Sequence, residues 1–113
     1  MFFGEKNRKT QIFDEIDRGV GGATASAIGK RLLDLSRHEQ VLVVTHSPQV
    51  AAYSDNHVKV EKINTEKSTI TKVETLGEEK IIREIARMLS GELITPEALA
   101  AAARLRNSSK LAS

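Results

Sequence analysis

The chain has 113 residues, enough for one small domain, and its 40% apolar and 28% charged content is that of a folded globular sequence rather than a disordered one. With three Phe, one Tyr and no Trp, any core must come from Ile, Leu, Val and Ala; the lack of cysteine excludes a disulfide framework and Cys-ligated zinc, and fits a reducing cytoplasm. Seventeen basic and 15 acidic residues leave a formal charge of +2, too slight to argue for nucleic acid on charge alone. No apolar run approaches the roughly 18 residues that a membrane span needs, so no membrane partner is expected. Met1-Phe2-Phe3-Gly4-Glu5-Lys6 lacks the basic and apolar regions of a signal peptide.

Residues 10–16 read as a short buried strand that runs into acid, Ile12-Phe13 followed by Asp14-Glu15. A glycine-rich turn comes next, Gly19-Val20-Gly21-Gly22. A helical pattern follows, with Ala25, Ile28, Leu32 and Leu35 on one face and Lys30, Arg31, Asp34 and Arg37 largely off it. Val41-Leu42-Val43-Val44 reads as a second, fully buried strand. Together these make a βαβ unit, which implies two parallel strands joined by a right-handed crossover.

Thr45-His46-Ser47-Pro48 ends that strand and opens a short helix, with Pro48 suited to its first turn. Residues 58–63 and 69–76 alternate at period two around Asn64-Thr65-Glu66-Lys67-Ser68 and predict an antiparallel hairpin. Residues 78–90 predict a helix with Ile82, Ile85, Ala86 and Leu89 facing the core, and Gly91 as its stop. Thr95-Pro96-Glu97 supplies a capping hydroxyl, a first-turn proline and an acid at the positive end of a last helix, which fades into Asn107-Ser108-Ser109-Lys110. Two parallel strands and one crossover helix leave a large apolar face uncovered, so the chain reads as part of a fold that needs elements from elsewhere.

In an open parallel sheet, ligands bind at the carboxyl ends of the strands. Asp14 and Glu15 close the first strand and His46 closes the second, so the topology brings two carboxylates and an imidazole to one edge. A carboxylate there can hold Mg²⁺, which suits Asp14. Its neighbour Glu15 can orient or deprotonate an attacking water. His46 can hydrogen-bond a terminal phosphate. Each residue taken singly is as well explained by a strand cap or a solvated turn.

Ile12-Phe13-Asp14-Glu15-Ile16-Asp17 resembles the Walker B segment of an ABC-type ATPase. Arg18-Gly19-Val20-Gly21-Gly22 looks like the D-loop of the RecN family, and the segment from Val41 through Thr45-His46-Ser47-Pro48-Gln49-Val50-Ala51-Ala52 is similar to that family's switch-histidine segment. Asp55-Asn56-His57 and Glu84-Ile85-Ala86-Arg87-Met88-Leu89-Ser90-Gly91 fit as well, so the resemblance to the RecN branch of the SMC/ABC ATPases covers nearly everything from Lys9 to Leu105. It implies an α/β fold: part of a P-loop NTPase head with parallel strands, a crossover helix, a β-hairpin and C-terminal helices. Residues 1–113 would form the C-terminal segment of that head.

The resemblance further implies Asp14 as the Mg²⁺-associated residue, Glu15 as the catalytic carboxylate and His46 as the γ-phosphate sensor. Gly19, Gly21 and Gly22 would face a partner head across bound ATP. Asp17 stands where the family keeps an acid and receives no role. The implied cofactors are ATP and Mg²⁺. The implied partners are the remainder of the head, a second head in an ATP-bridged dimer, and DNA through the whole protein. The setting would be cytoplasmic and nucleoid-associated, in double-strand break repair and recombination.

Two family motifs have no counterpart in this sequence. Gly29-Lys30 imitates the end of a phosphate loop, but Thr24 and Arg31 stand where a Gly and a hydroxyl residue should be, and the pair lies in a predicted helix. Thr24 also spoils Gly19-Val20-Gly21 as a dinucleotide fingerprint. The Ser-Gly-Gly-rich signature segment is absent, although Glu5-Lys6-Asn7 resembles the end of the helix that follows it. Each missing charge-assisted phosphate contact is worth about 1.5–3 kcal/mol, so the chain alone is not expected to hydrolyse ATP. Two other readings remain: a small metal-dependent phosphoesterase using Asp14, Glu15, Asp17 and His46, and a free-standing module that docks on another ATPase head.

Overall fold

The computed structural model describes residues 9–111; Met1 to Lys6, read above for a leader, and Glu5-Lys6-Asn7 lie outside the described residues. In chain order the elements are β1 (Thr10–Asp14), α1 (Gly22–Leu35), β2 (Gln40–Val44), α2 (Pro48–Ala51), β3 (His57–Asn64), β4 (Thr69–Leu76), α3 (Glu78–Ser90) and α4 (Pro96–Leu111). β1 and β2 pair in parallel from Thr10↔Gln40 to Asp14↔Val44, with α1 as the crossover. The hairpin of β3 and β4 is antiparallel, from His57↔Leu76 to Asn64↔Thr69. Its turn is closed by Thr65, whose hydroxyl donates to the Ser68 carbonyl at 2.8 Å.

The βαβ unit has one small core. Ala25 and Leu32 of α1 and Val50 of α2 are buried together, with Phe13, Ile28, Val41 and Val43 packed against them. These residues recur at helical spacing on α1 and at alternate positions on the strands, so a single face of each element reaches the cluster. The opposite face of the sheet is bare: Ile12 is 67% exposed, Leu42 54% and Val44 48%. The strands expected to be fully buried are therefore half-covered, because α1 and α2 cover one side of the pair and nothing among the described residues covers the other. The uncovered apolar face inferred from the element count is present.

Gly29 shows how tightly α1 sits on the segment after β2. A Cβ built there would lie 2.5 Å from Tyr53 Cδ2 and 3.3 Å from the Gln49 carbonyl oxygen. Ala would gain about 1 kcal/mol of helix propensity, but overpacking of a close contact costs about 1–3 kcal/mol. Gly29→Ala should lower the urea unfolding midpoint, with the loss relieved by a second change, Tyr53→Ala. Gly29 thus serves helix packing, while Lys30 is exposed.

The second core joins α3 and α4. Ile81, Ile85 and Ala86 pack with Ala98 and Ala102, Leu76 and Ala52, with Ile82, Ile94, Leu99 and Leu105 at the margin. The buried stripe of α3 is turned from the expected one: Ile81 and Glu84 are buried, whereas Leu89 is 41% exposed. Glu84 is tolerated there because Arg87 grips it from one turn on, at 2.9 and 2.6 Å, and Lys59 of β3 approaches to 3.3 Å. Gly91 ends α3 at φ +84°, a conformation that favours glycine. The Thr95 hydroxyl caps α4 by accepting from the Ala98 amide at 3.1 Å.

The polar tail expected at Asn107 is instead helix as far as Leu111, with Arg106 and Ser109 buried. Arg106 donates to both carboxylate oxygens of Glu78 and to the carbonyls of Ala52 and Ser54. Those bonds dock the last turns of α4, where the local sequence alone signals an end.

Candidate functional site

β1 and β2 end side by side, and two short loops leave them at the same edge. The Glu15 amide donates to the Val44 carbonyl at 2.8 Å, carrying the ladder one residue beyond β1. Glu15 itself adopts φ +52°, unusual for a residue with a side chain, and the chain turns sharply there. The Arg18 amide returns to the Glu15 carbonyl at 3.2 Å, and Gly19 supplies a second positive φ, +78°. On the other strand, the Ser47 hydroxyl accepts from the Val50 amide at 3.3 Å, and Pro48 follows as the first residue of α2.

Between these loops lies an open pocket of about 370 Å³ lined by Glu15, Asp17, Arg18, Gly19, His46 and Ser47. Glu15 Oε1 stands 3.4 Å from His46 Nε2, an ion pair when the imidazole is protonated. The Glu15 side chain is 32% exposed and that of His46 87% exposed, so both are open to a ligand or water entering from the sheet edge. Asp17, also in the lining, is buried and accepts a hydrogen bond from the Thr45 hydroxyl.

Of the two carboxylates and the imidazole expected at this edge, Glu15 and His46 are brought together, and Gly19, named only by the family resemblance, lines the pocket with them. Asp14, Gly21 and Gly22 are not among the pocket's lining residues. Asp14 is exposed and alternates onto the same bare face as Ile12. Gly21 caps α1 in an extended conformation, and Gly22, the first helical residue, lies near the Gln49 side chain. Arg18 and Ser47 join the pocket without having been singled out. The Ser-Pro helix start signalled a structural role for Ser47, whereas Arg18 opened the D-loop-like segment without being given a role of its own. His57, part of the resembling segment, is buried at the start of β3; burial pushes its imidazole pKa down against the opposing pull of Glu84.

Among the described residues no group of three or more His, Asp or Glu side chains is arranged to hold a metal by itself. Mg²⁺ does not require such a cage, since it usually keeps several waters and takes one or two carboxylates plus phosphate oxygens. A single exposed carboxylate at the sheet edge, as at Asp14, fits that mode. Gly29-Lys30 lies inside α1, so it offers no loop of free amides to a phosphate.

No protein-family model matches the chain. It is 46% identical over 103 residues to a protein described as DNA repair protein RecN from Rickettsia bellii, a match that covers 91% of this chain and 19% of the relative. It is 48% identical over 92 residues to RecN of Streptomyces coelicolor, covering 81% and 16% of the two chains. RecN of Xylella fastidiosa is 46% identical over 96 residues, covering 85% and 17%. Among solved structures, a chain described under "Structural biochemistry of ATP-driven dimerization and DNA stimulated activation of SMC ATPases" superposes with a TM-score of 0.62 over 78% of this chain and 52% of that one, at 22% identity. At that identity the likeness shows the fold alone: over 78% of its length this chain is folded like part of that SMC ATPase structure.

Proposed function

Since this chain is RecN-like over nine-tenths of its length and spans about a fifth of the length of the RecN proteins it matches, we propose that it is the C-terminal segment of a RecN-type ATPase head. In this reading residues 1–113 carry the Walker B carboxylates, the D-loop and the switch histidine. The phosphate loop and signature segment come from the rest of the head and from a second head. ATP binding joins two heads and hydrolysis releases them, in a protein that acts on DNA in the repair of double-strand breaks. Among the described residues no helix is long and apolar enough to cross a membrane, and the proposed setting is the nucleoid.

The observation that carries the proposal is the approach of Glu15 to His46 within 3.4 Å at the carboxyl edge of the parallel pair. Glu15 orients the attacking water and takes its proton. His46 donates a hydrogen bond to the terminal phosphate from the opposite strand. Asp14 would hold Mg²⁺ through its carboxylate, and the bound ion would neutralise phosphate charge. Gly19, Gly21 and Gly22 form the surface turned to the partner head. The bare face of Ile12, Leu42 and Val44 supports a segment of a larger fold over a free-standing docking module.

The test is ATP turnover by this chain mixed with the preceding portion of a RecN head. Turnover that appears only on mixing is the expected result. Phosphate release by the chain alone with a divalent metal would overturn the proposal in favour of a phosphoesterase. Association without turnover would reduce the chain to a structural piece.

A further inference from the structure

Asp17 was marked by the sequence as an acid without a task, and the chemistry proposed above does not use it. Its position is nevertheless unusual for a loop carboxylate. It is 8% exposed, three residues beyond the end of β1, and lines the same pocket as Glu15 and His46. A buried carboxylate requires a partner, and this one is the Thr45 hydroxyl, which belongs to the other strand's loop. Thr45 Oγ1 in turn accepts from the Ser47 amide at 2.9 Å. The two bonds form a continuous link: Asp17 carboxylate, Thr45 hydroxyl, Ser47 amide. His46 is the residue enclosed between the last two.

The His46 side chain has little else to hold it. It is 87% exposed, and its ion-pair contact is with Glu15 at 3.4 Å, while Asp17 and Arg18 are the other charged residues that line the pocket. The direction in which its imidazole projects is therefore set by the backbone at Thr45 and Ser47. That backbone is anchored on one side by β2 and on the other by the Ser47 cap of α2. Asp17 adds a side-chain anchor from β1's loop, the same loop that carries Glu15. The Val20 amide donates to the Asp17 carbonyl at 3.4 Å, so the turn that contains Gly19 is joined to the same point.

We infer that Asp17 is a positioning residue: through the Thr45 hydroxyl it fixes the switch-histidine loop against the loop of Glu15, and so sets the Glu15–His46 geometry. The inference rests on the roles proposed for Glu15 and His46. It requires a hydrogen-bond acceptor at position 17 rather than a negative charge. Misplacing a reacting group by about 1 Å can cost on the order of 100-fold in rate, so the effect belongs in kcat rather than in nucleotide binding.

The experiment uses the ATPase reassembled from this chain and the preceding portion of a RecN head, with Asp17→Ala, Asp17→Asn, Thr45→Val and the double variant Asp17→Ala/Thr45→Val. Asp17→Ala and Thr45→Val should each lower kcat about 10- to 100-fold with KM changed less than about threefold. Asp17→Asn, which retains an acceptor oxygen, should recover most of the rate. The double variant should be no slower than the worse single one, because both remove the same link. Multiplying effects in the double variant, an Asn variant as poor as Ala, or a kcat unchanged by Asp17→Ala would each overturn the inference. Glu15→Gln in the same assay separates the two levels: if it leaves turnover intact, the site reading itself has failed. A readout independent of turnover is hydrogen exchange at the Ser47 amide of this chain. Exchange should quicken at least about tenfold in Thr45→Val, with the Ala51 and Ala52 helix amides as unchanged references. No change at Ser47 would overturn the link directly.

Discussion

Glu15→Gln should lower ATP turnover of the reassembled head by about 10²–10⁴-fold, the range for loss of a positioned general base. Gln keeps the length and hydrogen-bonding shape of the side chain but cannot take a proton. The 3.4 Å approach to His46 survives as a polar contact, so nucleotide affinity should change little. The loss should then appear in kcat with KM nearly constant, and ATP-bound head dimers should accumulate because release is blocked. Steady-state kinetics with gel filtration in ATP checks both. Equal loss in kcat/KM and in ATP affinity would move Glu15 from the chemistry to nucleotide binding. On the roles proposed for the two residues, His46→Ala should be milder than Glu15→Gln, because it would remove a phosphate contact and leave the proposed base in place.

Arg106→Leu should be the most damaging change to stability, at about 2–4 kcal/mol. Arg106 is 2% exposed and donates to the Ala52 carbonyl at 2.8 Å, to the Ser54 carbonyl at 2.7 Å and to Glu78 at 2.8 and 3.0 Å. Leu would strand the two carbonyls, and Ala52 is wholly buried. Glu78 is about half exposed, so it can turn to water and contributes less to the loss. Arg106→Lys keeps the charge but not the planar fork, and should recover only part of the stability. Urea unfolding at neutral pH provides the comparison.

The same pair predicts a pH dependence. The Arg106 guanidinium, by hydrogen bonding to Glu78, pulls its carboxyl pKa from 4.5 to about 2, with Lys110 adding to the effect. A folded-state pKa below the unfolded one means that the contribution is complete above about pH 4.5 and is lost as pH falls toward 2. Glu78→Gln should flatten that part of the stability profile. An unchanged acid limb would show that other carboxylates govern it.

Several features were legible locally. Thr95-Pro96-Glu97 and Gly91 mark helix ends by their own chemistry, and α4 and α3 begin and stop there. The hairpin followed from period-two alternation, and the crossover from an amphipathic stretch between two β-branched runs. Strand ends in a parallel pair lie side by side whatever the rest of the fold, which is why Glu15 and His46 could be placed at one edge. The true facing of α3 could not be read, because Glu84 is buried only by virtue of Arg87 and Lys59. Likewise Asn107-Ser108-Ser109-Lys110 has the composition of a tail, and remains helical because Arg106 is anchored to residues 28 to 54 positions away.

The sequence by itself determined the order of elements, the parallel pairing and the edge at which Glu15 and His46 meet, since these depend on periodicity, caps and chain connectivity. Only the tertiary structure decided that Glu15 and Asp17 rather than Asp14 line the pocket with His46, that Asp17 is bonded to Thr45, and which face of the sheet α1 and α2 cover. Those outcomes turn on hydrogen bonds and packing between residues distant in the chain, and on the left-handed turn at Glu15, none of which leaves a local pattern.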